Sequence, residues 1–245
     1  MKMKIIFQNQ DFIIIDKPAG LPVHSGVGIK EKTMVDFLIE KFPEIKNVGD
    51  EPKLRPGIVH RLDKETSGVM IVARNQKTFE YFKKKFKSRK IKKKYLALVH
   101  EKLKNKQGKI EGEMGRSKRD FRKQTLTCPV KLSNNQKETS QKEAFNRVNI
   151  RKGRYSLTFY KVVKEYKEFS LLEVFPKTGR THQIRIHLHS IGHPVVGDKK
   201  YAFKRYKKID FPRMFLHASE ISFISPGGKK EKFSSSLPRD FDIGS

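Results

Sequence analysis

In the run HRLDKETSG, from His60 to Gly68, the carboxylate of Asp63 is framed by His60, Arg61 and Lys64. Cationic neighbours favour the ionised form of a carboxylate, so Asp63 could attack an electrophilic carbon or pair with a cation. The same residues also fit a turn in which Asp63 caps backbone N–H groups and its neighbours are solvated. A second chemistry-bearing run, KTGRTHQIRIHLHSIGHPVVG, spans Lys177 to Gly197 and is followed by Asp198. There Thr181 is expected to cap a helix whose inward face carries Ile184, Leu188 and Ile191 and which Gly192 and Pro194 stop. Arg185 lies at the margin of that stripe and looks partly into the core, where an arginine wants a carboxylate because an unpaired buried charge is very costly. His182, His187, His189 and His193 could suggest a metal centre. The helix fans the first three around different sides, and only Asp198 stands nearby as an acidic ligand, so no metal is expected.

Regular elements must hold these two runs. Pro52 to Gly57 reads as a loop leading to HRLDKETSG, and Val69 to Ala73 reads as a buried strand leaving it. Ile5 to Phe7 and Phe12 to Asp16 form a hairpin signal around Gln8 to Asp11. The stiff loop Lys17 to His24, with Pro18, Gly20 and Pro22, is expected to present Lys17 and His24 in set directions. Thr33 to Phe42 is an amphipathic helix pattern ended by Pro43, and a second helix from about Gln76 to Phe86 puts Phe79, Phe82 and Phe86 on one face as core. Then comes the most basic run, from Lys83 to Lys94, which flows into an apolar strand, Tyr95 to Val99. This placement favours a rigid edge that follows phosphates, a solvated face being the bland alternative. Tyr95 suits either core-edge packing or stacking on a base. Glu101 to about Lys142 is polar, with Arg116, Lys118, Arg119, Arg122 and Lys123 clustered, and reads as a protruding, partly mobile segment; its arginines fit contact with folded nucleic acid and mobility without contact about equally. Strand signals resume at Leu157 to Val163 and Ser170 to Phe175. Phe211 to Ile224 reads as a loop and strand containing His217, and Pro226 to Ser245 as a basic turn and a loosely held tail.

Composition narrows the partner. Lys and Arg total 55 against 26 Asp and Glu, a formal charge of +29 that points to a polyanion, with nucleic acid the obvious candidate. Lysine outnumbers arginine, so a merely basic surface is the competing reading. The single cysteine, Cys128, rules out an internal disulfide and a zinc-binding cysteine cluster. With no apolar window of membrane-spanning length, the expectation is a cytoplasmic protein. A glycine-rich phosphate loop is absent, and Ser67 lacks the G-x-S-x-G context of a serine hydrolase.

Four motifs in order carry a resemblance: DKPAGLPVH at Asp16 to His24, HRLDKETSG at His60 to Gly68, KYLALV at Lys94 to Val99, and KTGRTHQIRIHLHSIGHPVVG at Lys177 to Gly197. Together the chain resembles the RluA-type pseudouridine synthases from about residue 5 to residue 226. The resemblance implies conversion of uridine to its C-glycoside isomer in RNA, rRNA or tRNA, without cofactor or metal. Asp63 is then the catalytic carboxylate, through attack on ribose C1′, attack on the uracil ring, or assistance to glycal formation. Arg185 matches the arginine that pairs with it, Tyr95 the tyrosine against the target base, and Arg61 the residue that enters the RNA as the uridine leaves the stack. RNA contacts are expected at His60, Arg61, Lys83, Lys84, Lys87, Arg89, Lys93, Arg116, Arg119, Arg180 and His182.

The expected fold is α+β, with a central mixed, mostly antiparallel sheet, flanking helices and a catalytic cleft. One catalytic domain should cover 1–226, including the polar segment at about 101–157, with a basic tail at 227–245 and no separate N-terminal RNA-binding module. Phe145 to Leu157 stands as an insertion relative to the family pattern, and Phe223 to Pro226 lacks the histidine that relatives often show before the proline. The protein should act as a monomer. A non-catalytic RNA-binding protein that kept this fold is the alternative, disfavoured by the joint presence of Asp63, Tyr95 and Arg185. A nuclease is disfavoured because no carboxylate pair for metal ions stands out.

Overall fold

The computed structural model describes residues 3–26, 31–117, 120, 123–126, 150–206 and 210–241. Along them run β1 (Lys4–Gln8), β2 (Phe12–Lys17), α1 (Met34–Lys41), β3 (Ser67–Ala73), α2 (Gln76–Lys87), β4 (Lys92–His100), β5 (Gln107–Ser117), β6 (Gln124–Leu126), β7 (Ile150–Glu165), β8 (Phe169–Pro176), α3 (Gln183–Ser190), β9 (Leu216–Ile224) and β10 (Lys230–Ser234). The chain folds into two compact units, Met1–Lys94 with Leu216–Arg239, and Tyr95–Phe215 with Asp240–Ser245. No helix among the described residues is long and apolar enough to cross a membrane.

The first unit is built on β1, β2, β3, β9 and β10. β2 pairs antiparallel with β1 and β3, β10 pairs antiparallel with β9, and β3 meets β9 in parallel at Ser67↔His217 and Gly68↔Ala218. The apolar runs of β2 and β3 explain their position, since every residue of β3 and all but Asp16 of β2 are buried. Gly68 is required at the crossing: its φ is +115°, and a Cβ there would lie 2.2 Å from the Ala218 carbonyl oxygen. Phe79 and Phe82 of α2 are buried. Phe82 meets Phe12 edge-on at 5.6 Å, in a core shared with Ile14, Val69, Ile71, Ile221 and Phe223. Asn75 caps α2 by accepting the Thr78 N–H at 2.9 Å.

The second unit stacks β4, β8, β7, β5 and β6 in antiparallel order. Along β8, buried and half-exposed residues alternate without a break. Among the described residues, the parallel meeting of β3 with β9 beside the antiparallel pairings, with few helices, makes this the expected α+β class with a mixed, mostly antiparallel sheet.

Three expectations give way. Residues 107–117, read as part of a protruding mobile segment, are β5 and pair with β7 from Gln107↔Lys161 to Ser117↔Ile150. The strand was hidden because its buried side is carried mainly by Ile110 and Met114 among glycines and charges. That pairing also takes in Ile150 to Leu157, the latter part of the stretch read as an insertion; Phe145 to Asn149 lies outside the described residues. The tail is not loosely held up to residue 241: a turn closed by the Gly228 N–H on the Ser225 carbonyl feeds β10, Phe233 packs at 5.1 Å from Phe7, and Phe241 is buried. Finally, β4 begins at Lys92, so the last three lysines of the basic run belong to a strand.

Candidate active site

The loop that carries Asp63 is held from below. Lys17, which the stiff loop was expected to present in a set direction, is fully buried. Its ammonium donates to the carbonyls of Pro18 at 2.8 Å, Leu21 at 2.7 Å and Lys64 at 2.9 Å. The Gly20 N–H donates to the same Lys64 carbonyl at 2.9 Å, and the Thr66 N–H to the Asp63 carbonyl at 3.1 Å. A lysine ammonium has three N–H bonds, and here three carbonyls receive them. The stiff DKPAGLP loop is therefore stitched to the backbone beside Asp63, whose own residue is half-buried.

The loop is also tied at its end. His217 Nε2 lies 3.3 Å from the Ser235 carbonyl, which can only accept, so Nδ1 accepts the Ser67 hydroxyl at 2.9 Å. His60 accepts the Ile71 N–H through Nε2 at 3.0 Å and stacks on Phe86 at 4.5 Å. Burial, with a smaller push from the Lys93 charge, lowers its pKa to about 3. The residue named as an RNA contact thus holds β3 in place as a neutral ring. Arg61 is exposed, with Nη1 3.4 Å from His24 Nε2.

In the second unit, α3 starts at Gln183, not behind Thr181. His182, the N-cap, adopts a left-handed φ of 57°, and Gln183 ties back the turn before the helix: its Oε1 accepts from the Arg180 N–H at 3.0 Å and the Thr178 hydroxyl at 2.6 Å. The helix is buried from Gln183 to Leu188, so Arg185 is inside at 7% exposure and not merely marginal. Its carboxylate is Asp198: Arg185 Nε donates to Oδ2 at 2.7 Å and Nη2 to Oδ1 at 2.8 Å. Burial opposes the Asp198 charge, but Arg185 and the N–H groups of Tyr201 and Lys200 outweigh it and hold the carboxyl below its usual range. Arg185 also lies over the Tyr201 ring, 5.0 Å from its centroid. Tyr95, half-buried, stands on β4 opposite Val174 of β8.

The basic positions differ in kind. Lys84, Lys87 and Arg89 are exposed; Lys83 is bound to Asp50 at 2.7 Å; Lys93 is half-buried, and desolvation lowers its pKa to about 8. Arg116 is exposed on β5, Arg180 donates from Nε to the Tyr155 carbonyl at 3.2 Å, and His182 Nδ1 is 2.8 Å from the Tyr201 hydroxyl. Arg119 lies outside the described residues. Sequence reasoning missed Lys17 as a strut and Asp198 and Tyr201 as the surroundings of Arg185. For Asp198 a signal existed, since it was the one acidic residue noted near the arginine that needed one.

Residues 11–190 match the family model described as RNA pseudouridylate synthase. The chain belongs to this family. The RNA pseudouridine synthase YlyB of Bacillus subtilis is 33% identical over 241 residues, covering 98% of this chain and 71% of that protein. Ribosomal large subunit pseudouridine synthase D of Borreliella burgdorferi is 34% identical over 241 residues, 98% of this chain and 66% of that one. The chain thus spans about two thirds of the length of such relatives. Human RNA pseudouridylate synthase domain containing 1 shares the fold, with a TM-score of 0.74 at 24% identity over 96% of this chain and 83% of that one. The family is the RluA type expected from the motifs, and its activity is the isomerisation of uridine in RNA.

The synthase buries titratable groups that must stay neutral. His187 is fully buried, its Nε2 2.8 Å from the Ser156 hydroxyl oxygen, and burial lowers its pKa to about 4. Both His60 and His187 have folded pKa values below the ordinary 6.5, so the unfolded chain binds more protons as soon as the pH falls below 6.5. Their stabilising contribution is full above that pH and is lost on the way down to about 4 and 3. Each histidine contributes a slope of up to about 1.4 kcal/mol per pH unit, the pair on the order of 2.7. Urea midpoints at pH 7.5, 6 and 4.5 should fall below pH 6.5; constant midpoints would show that these rings are protonated in the fold.

Proposed function

We propose that Asp63 is the carboxylate through which this synthase isomerises uridine in structured RNA, either rRNA or tRNA, with Arg185 as its partner and Tyr95 against the target base. In the reaction the N1–C1′ bond breaks, C5 bonds to C1′, N1 gains a proton and C5 loses one. The observation that carries the reading is the clamp of Lys17 on the Lys64 carbonyl, which fixes the backbone of the one loop in which the family motif puts its carboxylate. A nucleophile or base works best on a backbone that does not yield. A guanidinium has five donors; Asp198 takes two, and a second carboxylate suits the same group. Arg61, exposed beside Asp63, has the reach and the planar cation to fill the place of a uridine that leaves its stack.

Incubation of the protein with RNA tritiated at uracil C5 tests the reading, because isomerisation releases that tritium and binding does not. The name of the Borreliella relative makes unmodified large-subunit RNA the first substrate and total tRNA the second. Release from either supports the reading, and no release from both would overturn it. The protein is proposed to act as a cytoplasmic monomer.

The exposed cations at the end of α2 are proposed to follow the RNA backbone. Replacing Lys84, Lys87 and Arg89 together by glutamine should reduce the slope of log K against log salt by roughly 2–3, since each neutralised phosphate contributes about 0.7–0.9. Filter binding across a salt series measures this. An unchanged slope would make the run a solvated face.

A further inference from the structure

We propose that Asp198 is the positioning residue for Arg185 in the isomerisation, and that Tyr201 fixes the plane in which the guanidinium is held; this rests on the reading of Arg185 as the arginine of the site. The Asp198 side chain has no exposed surface. Besides Nε and Nη2 of Arg185, it accepts the N–H groups of Lys200 at 2.9 Å and Tyr201 at 3.0 Å on Oδ1. The carboxylate is therefore anchored to its own backbone before it grips the arginine. That backbone is a tight turn, with the Asp198 N–H on the Val195 carbonyl at 3.2 Å and the Ala202 N–H on the Asp198 carbonyl at 3.1 Å. Gly197 enters it at a φ of +74°, and a Cβ there would stand 1.9 Å from the Arg213 carbonyl oxygen, so no other residue fits without moving the turn.

Tyr201 closes a ring of contacts. Its hydroxyl accepts the Gln124 N–H at 3.2 Å and lies 2.8 Å from His182 Nδ1. His182 directly precedes α3, the helix that bears Arg185. The start of α3, Tyr201, Asp198 and Arg185 thus brace one another, with the Tyr201 ring beside the guanidinium. A side-on bidentate grip sets both the plane of a guanidinium and the direction in which its remaining edge points. A long arginine side chain without it would sample several rotamers. If Asp198 served only the fold, its loss would lower stability, as the loss of one partner of a buried ion pair does, and would leave the rate of the folded protein unchanged.

The test compares single-turnover tritium release at saturating large-subunit RNA with RNA affinity from filter binding. Asp198→Asn keeps the size and the oxygen facing Lys200 and Tyr201 but turns the grip on Arg185 into a mismatch. Its rate at saturation should fall about 30- to 100-fold, as for a catalytic group displaced by about 1 Å, while affinity stays within about twofold. Tyr201→Leu should lose about 5- to 10-fold. In an Arg185→Lys background each substitution should cost less than about threefold more, because both act through the guanidinium. A normal rate for Asp198→Asn, or the same factor lost in both backgrounds, would overturn the proposal. Should Asp198→Asn fail to fold, the Tyr201→Leu pair of backgrounds decides by the same criterion. If the unsubstituted protein releases no tritium, this inference falls together with the reading it rests on; if it does and the variants behave additively, only this inference falls.

Discussion

Asp63→Asn is expected to reduce tritium release by a factor on the order of 10⁴ or more while RNA still binds with nearly unchanged affinity. Asparagine keeps the shape and one acceptor oxygen, so the turn closed by the Thr66 N–H on the residue 63 carbonyl is untouched. What is lost is the negative charge, on which attack at C1′, attack at the ring and proton transfer all draw. RNA affinity should survive because it comes from cations on other elements. Asp63→Glu separates charge from placement: it restores the carboxylate but carries it about 1 Å further out, for an expected loss of about 100-fold. Measured on large-subunit RNA and tRNA with matched filter binding, turnover by Asp63→Asn would move the chemistry to another residue.

The second large effect is on stability. Lys17→Met should lower stability by about 3–5 kcal/mol, because each buried carbonyl left without its donor costs about 1–3 kcal/mol. The carbonyls of Pro18, Leu21 and Lys64 would lose their shared donor in a site with no exposed surface, and methionine offers them nothing. For a chain of this length each 1 kcal/mol corresponds to about 2–4 °C, so the melting temperature should drop by roughly 6–20 °C. Activity measured well below the new melting point should also fall, since the backbone beside Asp63 loosens. A melting temperature within 2 °C of the parent would show that the ammonium is dispensable to the loop.

The sequence by itself pointed to the class of the protein and to the residues proposed for its chemistry. Val69 to Ala73 read as a buried strand and Phe12 to Asp16 as one arm of a hairpin, the spacing of Phe79 and Phe82 favoured a core face, and the charge excess pointed to a polyanion. Four ordered motifs carried the family. It also set Arg185 partly in the core, where an arginine wants a carboxylate. Which carboxylate answers at Nε and Nη2 was decided by the tertiary structure: Asp198 stands thirteen positions along the chain, and only the turn built on Gly197 swings it back. The stiff loop foretold a set direction for Lys17 but not which one: three convergent carbonyls from two loops make it a core residue although lysine is usually exposed, and convergence of backbone groups leaves no trace in side-chain pattern. β5 and β10 were hidden for a related reason. Their inward faces carry so few apolar residues that alternation is faint, and it is pairing with β7 and β9 that makes them strands. Local pattern therefore reached the elements that bury much apolar surface, while the supports of the site depend on polar groups brought together from far apart.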